Sequence, residues 1–404
     1  PSGLAVFGTL VLGAHAYGVT ELEGGAGTFS DGKLNTLVKD KTGRNRFVLE
    51  TFVKFGADED ILYAHKPHIG TDVLIDVVSQ MRQEIISLGG EFCFHTQVTD
   101  VDLTSKTLKL VHLSENSAEE VSAGAAVFAI GHSARDTFEM LYKHQIPMRA
   151  KSFAVGVRIE HPQTLIDHSQ YGRDRGNDLP AAAYKLTENL ENGRGVYTFC
   201  MCPGGYVVNA SSEEHRLAVN GMSYHDRAGE NANSAVIVTV TPDDFGSDHP
   251  LAGISFQRSL EEKAYQAGQG KVPVQRFGDF KENQITTAYG KVHSCIKGAS
   301  VFGNVRAIFP TEIAQSLEDG ITAMDHKIHG FADNDALLSG VESRTSSPVR
   351  IERDENFVCA SCDWIYPCGE GAGYAGGITS AAMDGMKVAE AIIQKYKSRS
   401  EERR

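Results

Sequence analysis

The chain has 404 residues, enough for two or three folded units. Hydrophobic residues make up 41% of it and charged residues 23%, an ordinary globular composition that allows a sizeable core. Lys and Arg number 39 against 52 Asp and Glu, and the net charge of −13 argues against nucleic acid or an anionic membrane as the main partner. The 41 glycines suit a protein in which backbone approaches a ligand closely at several places.

Pro1-Ser2-Gly3 opens directly into the most apolar stretch, Leu4 to Val19, which Gly8, Thr9, Gly13 and His15 interrupt. It falls short of the roughly 20 apolar residues of a membrane span, and no basic segment precedes it as in a secretory leader. The spacing predicts a buried helix. A glycine cluster, Gly24 to Lys33, follows. Thr71 to Leu88 repeats apolar residues at helical spacing (Val73, Leu74, Val77, Ile85) and stops at Gly89-Gly90. Strands are expected at Glu91–Thr96, Val98–Leu103 and Thr107–His112. Ala125 to Ile130 is a continuous apolar run ending at Gly131, suited to a strand buried on both faces. His132 to Tyr142 reads as helix.

From Phe153 to about Gln275 the texture becomes alternating and β-rich, with strands expected at Phe153–Ile159, Val196–Cys200, Tyr206–Ala210 and Ala235–Val240. Pro310 to Ile328 is helical. Trp364 to Cys368 then leads into a glycine-rich turn and a helix, Thr379 to Tyr396. These textures divide the chain into a nucleotide-binding part at 1–150, a β-rich substrate or cap domain at 151–275, and a mixed helical and loop part of the cap at 276–350. A return to the first domain at 351–396 and a frayed tail at 397–404 complete it.

Seven scattered cysteines are not a secreted disulfide framework and point to a reducing compartment, the cytosol or an organelle stroma. Cys359-x-x-Cys362 has the spacing of a redox pair or half a metal site. With no second such motif and no matching histidine pair, no metal site is assigned and free cysteines are expected. Cys200 and Cys202, two apart on a strand, share a face but lie too far apart for an easy bridge.

Four turns carry candidate chemistry. Pro1-Ser2-Gly3 reads as the second half of a dinucleotide fingerprint, in which glycines let a pyrophosphate approach a helix N-terminus. Glu23 falls where a ribose-binding acid belongs, about 20 residues on, and reads equally as a solvated loop acid. Gly24, Gly25, Ala26, Gly27, Thr28, Ser30, Asp31, Gly32 and Lys33 offer backbone donors and hydroxyls for phosphate or a flavin edge, or else form a surface loop. Gly369, Glu370, Gly371, Gly373, Gly376, Gly377 and Ile378 precede a long helix whose positive end suits an anionic reduced flavin. Gly131, His132 and Ser133 follow the buried strand, with Ser133 as a plain helix cap the alternative.

The stretches GGAGTFSDGKLNT (24–36), KPHIGTD (66–72), AIGHSARDTFEML (129–141), FAVGVRIEHPQ (153–163), FCMCPGG (199–205), NGMSYHDRAGENANSAVIVTV (220–240), PLAGISFQR (250–258), ESRTSSPVRI (342–351) and YPCGEGAGYAGGITSAAMDGM (366–386) run through nearly the whole chain in order. Together they resemble an FAD-dependent dehydrogenase-like family of bacterial and plastid-type flavoproteins related to glutathione reductase. The resemblance implies an α/β fold: an FAD-binding Rossmann-like domain of the glutathione-reductase-2 type carrying an inserted mixed β-rich cap. It implies FAD at the four turns, with Val98 near the adenine, and leaves the substrate unassigned. Compared with the family, the strand and two glycines before Pro1 and a segment before Gly24 are missing, so the fingerprint reads as truncated: a fragment, a splicing or gene-prediction artefact, or a real shortened form, for which alone weak or absent FAD is expected.

The implied activity is hydride transfer through flavin to or from a small molecule, with NAD(P)H as a transient donor. Lys33, His132 and Tyr374 are the catalytic candidates, because each sits in a turn expected to border the ring. A non-catalytic flavin-binding or RNA-modification accessory protein, or an inactive truncated form, are the alternatives.

Overall fold

The computed structural model describes residues 32–34, 40–64, 67–176 and 178–401; the helix expected at Leu4 to Val19 lies outside them. In chain order the elements are α1 (Arg44–Lys54), α2 (Thr71–Ser87), β1 (Thr96–Asp102), β2 (Thr107–His112), β3 (Ser117–Ser122), β4 (Ala126–Phe128), α3 (Arg135–Lys143) and β5 (Met148–Ala150). Next come β6 (Phe153–Pro162), α4 (Gln163–Tyr171), β7 (Thr187–Asn189), β8 (Gly195–Cys202), β9 (Tyr206–Asn209), β10 (Val219–Met222) and β11 (Asn231–Val240). The remainder is α5 (Ala252–Ala267), β12 (Val272–Arg276), α6 (Phe277–Lys281), β13 (Ile296–Lys297), β14 (Ser300–Phe302), α7 (Thr311–Met324), β15 (Leu337–Glu342), β16 (Val349–Ile351), β17 (Ile365–Pro367) and α8 (Ile378–Glu401). Among these residues no helix is long and apolar enough to cross a membrane.

The first half forms two small layers. α2 keeps the expected spacing, burying Leu74 and Val77 against Val48, Leu49 and Phe52 of α1 and Met383 of α8. β1, β2 and β3 form an antiparallel meander. The strand expected at Glu91–Thr96 does not form, because β1 pairs with β2 only from Thr96↔His112 onward. The residues before it lack a ladder partner there, and Phe92 and Phe94 stand exposed, stacked on one another. β3 (SAEEVS) exposes nearly every side chain, so no apolar alternation marks it. Its ladder to β2 forms it. β4 is buried on both faces, as its apolar run predicts, and runs parallel to β17. α3 begins at Arg135 rather than His132, because residues 131–134 are taken up in a turn with Gly131 at φ 62°.

A seven-stranded sheet in the order β14-β12-β15-β6-β11-β8-β7 forms the other half. Side chains alternate faces along each strand. Val155, Val157 and Ile159 of β6, with Val236 and Val238 of β11, face α7 (Ile313, Leu317, Ile321) and α5 (Leu260, Ala264) in the largest core. The register places Gly156, Arg158 and Glu160 on the opposite face with Asn233 and Ala235. The boundary expected at 275 cuts through β12, and β15 pairs with β6. Residues 276–350 therefore complete the same sheet as 151–275. The tail assigned to 397–404 is helical to Glu401, since nothing in KYKSRSE breaks the helix.

α5 joins the two halves. Its Ile254 belongs to the apolar cluster around β4 and β17, whereas Leu260 and Ala264 belong to the core under the large sheet. Between these faces its fully buried Glu261 accepts paired hydrogen bonds from Arg135 (2.8 and 2.8 Å) and Arg344 (3.0 and 2.9 Å), and a fifth from Ser343 Oγ (2.7 Å). Burial pushes this carboxyl up, but the charges of Arg344 and Arg135 outweigh it and hold the group below the usual range. A lowered carboxyl stabilises the fold above its unfolded value near 4.5 and loses that contribution as pH falls. Glu261→Gln leaves two buried guanidinium groups short of their counter-charge and is expected to cost about 3–5 kcal/mol at neutral pH by urea unfolding. The variant should also lose less stability than the parent between pH 5 and pH 3. An unchanged urea midpoint would remove Glu261 from this role.

Candidate functional site

β4 and β17 run parallel and both end in glycine turns, Gly131-His132-Ser133 and Gly369 to Gly377. The carboxyl ends of parallel strands open the crevice in which α/β proteins bind ligands. The turns touch: a Cβ on Gly371 would lie 2.2 Å from the Gly131 carbonyl oxygen, so only glycine fits. His132 Nδ1 stands 3.2 Å from Glu370 Oε1 across the junction, and Ser347 Oγ donates to the Gly371 carbonyl (3.0 Å). Behind the second turn, the Gly369 N–H donates to Asp384 (2.8 Å). Arg353 clamps Asp384 through two bonds (2.9 and 2.6 Å) and donates to the Pro367 carbonyl (2.7 Å).

α8 begins directly after exposed Gly376 and Gly377, beside which an added Cβ would meet nothing within 4 Å. Its first-turn amides and dipole suit an anion. Thr379 Oγ1 donates to the Leu34 carbonyl (2.8 Å), which lays the segment 32–34 against this helix end. The same segment pairs with residues 67–69 through Leu34 N–H to Pro67 O and Ile69 N–H to Gly32 O.

The large sheet supplies a set of ionisable groups. Arg158 is fully buried; Nη1 lies 3.5 Å from Glu342 Oε2, and Nη2 donates to the Cys200 carbonyl. That carbonyl turns toward Arg158 at a bulge in β8 where Cys200 has φ 43°. Cys200 and Cys202 thus depart from the simple two-residue alternation expected of them, and both are free thiols. A Cβ on Gly221 of β10 would lie 2.3 Å from Asn233 Oδ1 and 2.5 Å from Arg158 Nη2, so a bare backbone is what lets β10 pass over them.

Electrostatics joins these groups to the turns. Burial pushes the Glu342 carboxyl up to about 6, against the pull of Arg158 and of His132 in the first turn. Burial likewise pushes the Cys200 thiol up to about 12, against Lys33 and Arg158, so it stays neutral and is no nucleophile at neutral pH. Arg158, Glu342 and Cys200 are thus in contact, and Lys33 and His132 of the glycine-turn region act on them through their charge. Both amide atoms of buried Asn233 lack a hydrogen-bond partner among the described residues, a rare condition in a protein interior. Chemically, the cluster holds a carboxyl able to take or release a proton near pH 6 beside a permanent cation.

Of the residues singled out from sequence, Pro1, Ser2, Gly3, Glu23 and Gly24 to Asp31 lie outside the described residues. Gly32, Lys33, Gly131, His132, Ser133 and the Gly369–Ile378 turn are brought together as above. Val98 is buried in the apolar cluster that holds Ile130 beneath the first turn. Ser133 does not cap α3; its Oγ accepts from Arg344 (3.1 Å), and the helix starts behind Ala134 without a side-chain cap. Tyr374 is engaged elsewhere. Its ring packs between Arg350 and Arg353 (4.2 and 3.6 Å to the centroid) and its hydroxyl donates to the Ile351 carbonyl (3.0 Å). Arg158, Asn233 and Glu342 escape the sequence reading. The available signal is the charge of Arg158 and Glu160 on alternate positions of a strand whose other positions are Val155, Val157 and Ile159.

Residues 152–345 match the family described as FAD-dependent protein, C-terminal domain-like. The chain is 49% identical over 378 residues to an uncharacterized protein of Clostridium beijerinckii, covering 93% of this chain and 70% of that protein. Among solved structures, it is similar to a glycerol-3-phosphate dehydrogenase from Bacillus halodurans complexed with FAD, at TM-score 0.39 and 11% identity, with 92% of this chain and 58% of that one covered. It is also similar to CtdE in complex with FAD, at TM-score 0.29 and 9% identity, covering 79% and 59%. Likenesses this slight leave the fold to rest on its own elements.

Gly221→Ala must displace Arg158 or Asn233 and is expected to cost about 1–3 kcal/mol in urea unfolding, as overpacking does. An unchanged midpoint would show that β10 can move away without loss.

Proposed function

The chain belongs to one family with the uncharacterized Clostridium beijerinckii protein, and because its residues 152–345 match the C-terminal domain of FAD-dependent proteins we propose that it is a flavin oxidoreductase acting on a small molecule. One observation carries the reading: two touching glycine turns at the ends of parallel strands stand beside a buried carboxyl raised to about 6 and a buried guanidinium. The turns fit the cofactor, because the Gly131–Gly371 contact and the unobstructed Gly376-Gly377 give backbone rather than side chains to a ligand. FAD, when bound, supplies the hydride chemistry. The Gly369–Gly377 turn and the first turn of α8 hold its phosphates and favour negative charge. Gly131 and His132 close the site from the side of β4, and residues 32–34 line the helix end.

The substrate then sits beside the glycine turns, at the edge of the sheet face that carries Glu342. Glu342 holds a proton below about pH 6 and accepts one above it, and Arg158 fixes the carboxyl in place. Lys33 and His132 act on this cluster through their charge, while Tyr374 steadies the second turn. Among the described residues this is the pair of touching glycine turns that lies at the carboxyl ends of parallel strands, and in this reading FAD occupies it; NAD(P)H is to be tried as a donor that docks transiently.

The purified chain, reconstituted with FAD if needed, is expected to show a flavin absorption spectrum and to release FAD on denaturation. With a donor that bleaches it, the reduction rate should show an inflection near pH 6. Glu342→Gln should abolish that inflection and slow the step about 100-fold, the lower range for general acid–base groups. Failure to take up FAD would sink the cofactor assignment. A variant that keeps both rate and inflection would sink the role of Glu342.

A further inference from the structure

Cys359 and Cys362 stand apart from the site just described, in the segment that precedes β17. The Cys362 N–H donates to the Cys359 carbonyl (3.3 Å), closing a tight turn of four residues. Such a turn brings its first and fourth Cα atoms within about 7 Å, the span that a disulfide needs. Cys359 Sγ lies 3.3 Å from Ser361 Oγ, and the Cys362 thiol on the other side of the turn acts on it electrostatically. The backbone is fixed on the other side by Cys359 N–H donating to the Ile365 carbonyl (2.8 Å) and by the bridge of Cys359 to Arg353. Cys359 is buried and Cys362 half-buried, so Cys362 is the sulfur that solvent reaches.

The chemistry of this pair differs from that of the other buried thiols. The Cys362 thiol, followed by Ser361, holds the Cys359 thiol down at about 6, and the proton is pushed onto Cys362. The pair thus shares one thiolate near neutral pH, the species that exchanges with disulfides. Cys200 and Cys368, by contrast, are both pushed up to about 12 by burial.

We propose that Cys359 and Cys362 form a reversible dithiol–disulfide couple that small-molecule disulfides oxidise. The shared proton passes to Cys359, and the Cys362 thiolate attacks one sulfur of a disulfide RS–SR. A mixed disulfide forms and RS⁻ leaves, taking up a proton from solvent. Cys359 then loses its proton and attacks the Cys362 sulfur, displacing the second RS⁻, which is protonated in turn. Two protein thiols and one RS–SR become one protein disulfide and two RSH, so the protein gives up two electrons and the small molecule receives them.

The test uses the full chain, reduced and then equilibrated without oxygen in mixtures of reduced and oxidised glutathione. After an acid quench it is unfolded, alkylated and weighed. Two of the seven cysteines should become unreactive together, with fragmentation placing the bond between 359 and 362. The oxidised-to-reduced ratio should change a hundredfold over about 60 mV, as a two-electron couple requires, and dithiothreitol should restore all seven. Cys359→Ser should trap glutathione on Cys362. Seven reactive thiols at every ratio, a bond to Cys368 instead, or oxidation only where circular dichroism reports unfolding would each overturn the proposal. If the variant does not fold, the parent chain's titration still decides.

Discussion

A carboxylate enclosed by two guanidinium groups is costly to bury and stable only when every hydrogen bond is made. Glu261 meets that condition with five acceptor bonds, while Gln257, one turn earlier on α5, accepts from Arg135 and donates to the Ser343 carbonyl. Arg135 begins α3 directly after the first glycine turn, and Arg344 follows the last strand of the large sheet. The network therefore fixes the turn at Gly131 to Ser133 relative to the sheet carrying Arg158, Asn233 and Glu342. Arg344 extends the tie by donating to Ser133 Oγ. Besides this network the halves meet through apolar packing around α5, which is non-directional, through Arg258 to Glu139, and at the start of α2, where the Thr71 N–H donates to the Ser223 carbonyl.

The sheet itself is built so that one face makes the core and the other makes chemistry. Valine and isoleucine at alternate positions of β6 and β11 bury against α5 and α7. The intervening positions are free to carry glycine, arginine, glutamate and asparagine, and they face elements that bring hydrogen bonds. Glu160 shows the structural use of this face: buried and pushed up by that burial, it accepts from Asn231, Ser294 and the Cys295 N–H, which anchors the loop before β13. Arg158, two residues along β6, and Glu342 of β15 show the other use: Nε of Arg158 and Oε2 of Glu342 are buried without a hydrogen-bond partner among the described residues.

Periodicity made much of this legible. The helical spacing of Thr71 to Leu88, the unbroken apolar run at Ala125 to Ile130 and the alternation from Phe153 each correspond to an element within a few residues. The glycine turns at 131 and 369–377 were legible too, since five glycines before a helix serve packing poorly. What escaped depended on partners distant in sequence. β3 exists because β2 lies beside it, and Glu91–Thr96 fails as a strand because nothing does. The importance of Glu342 requires Arg158 on another strand and His132 in another turn, and nothing in ESRTSSP marks it locally. Tyr374 misled for the same reason: its position in the turn was plain, but not the two arginines that hold its ring.

Central to this account is the claim that both glycine turns, and not one alone, contact the flavin. Amide hydrogen exchange on the full chain with and without FAD tests it directly. The account predicts slower exchange on FAD binding in residues 129–135 and 368–381 together, with little change along β7 and α7 on the far side of the sheet. FAD binding that leaves either turn exchanging at its original rate would contradict it.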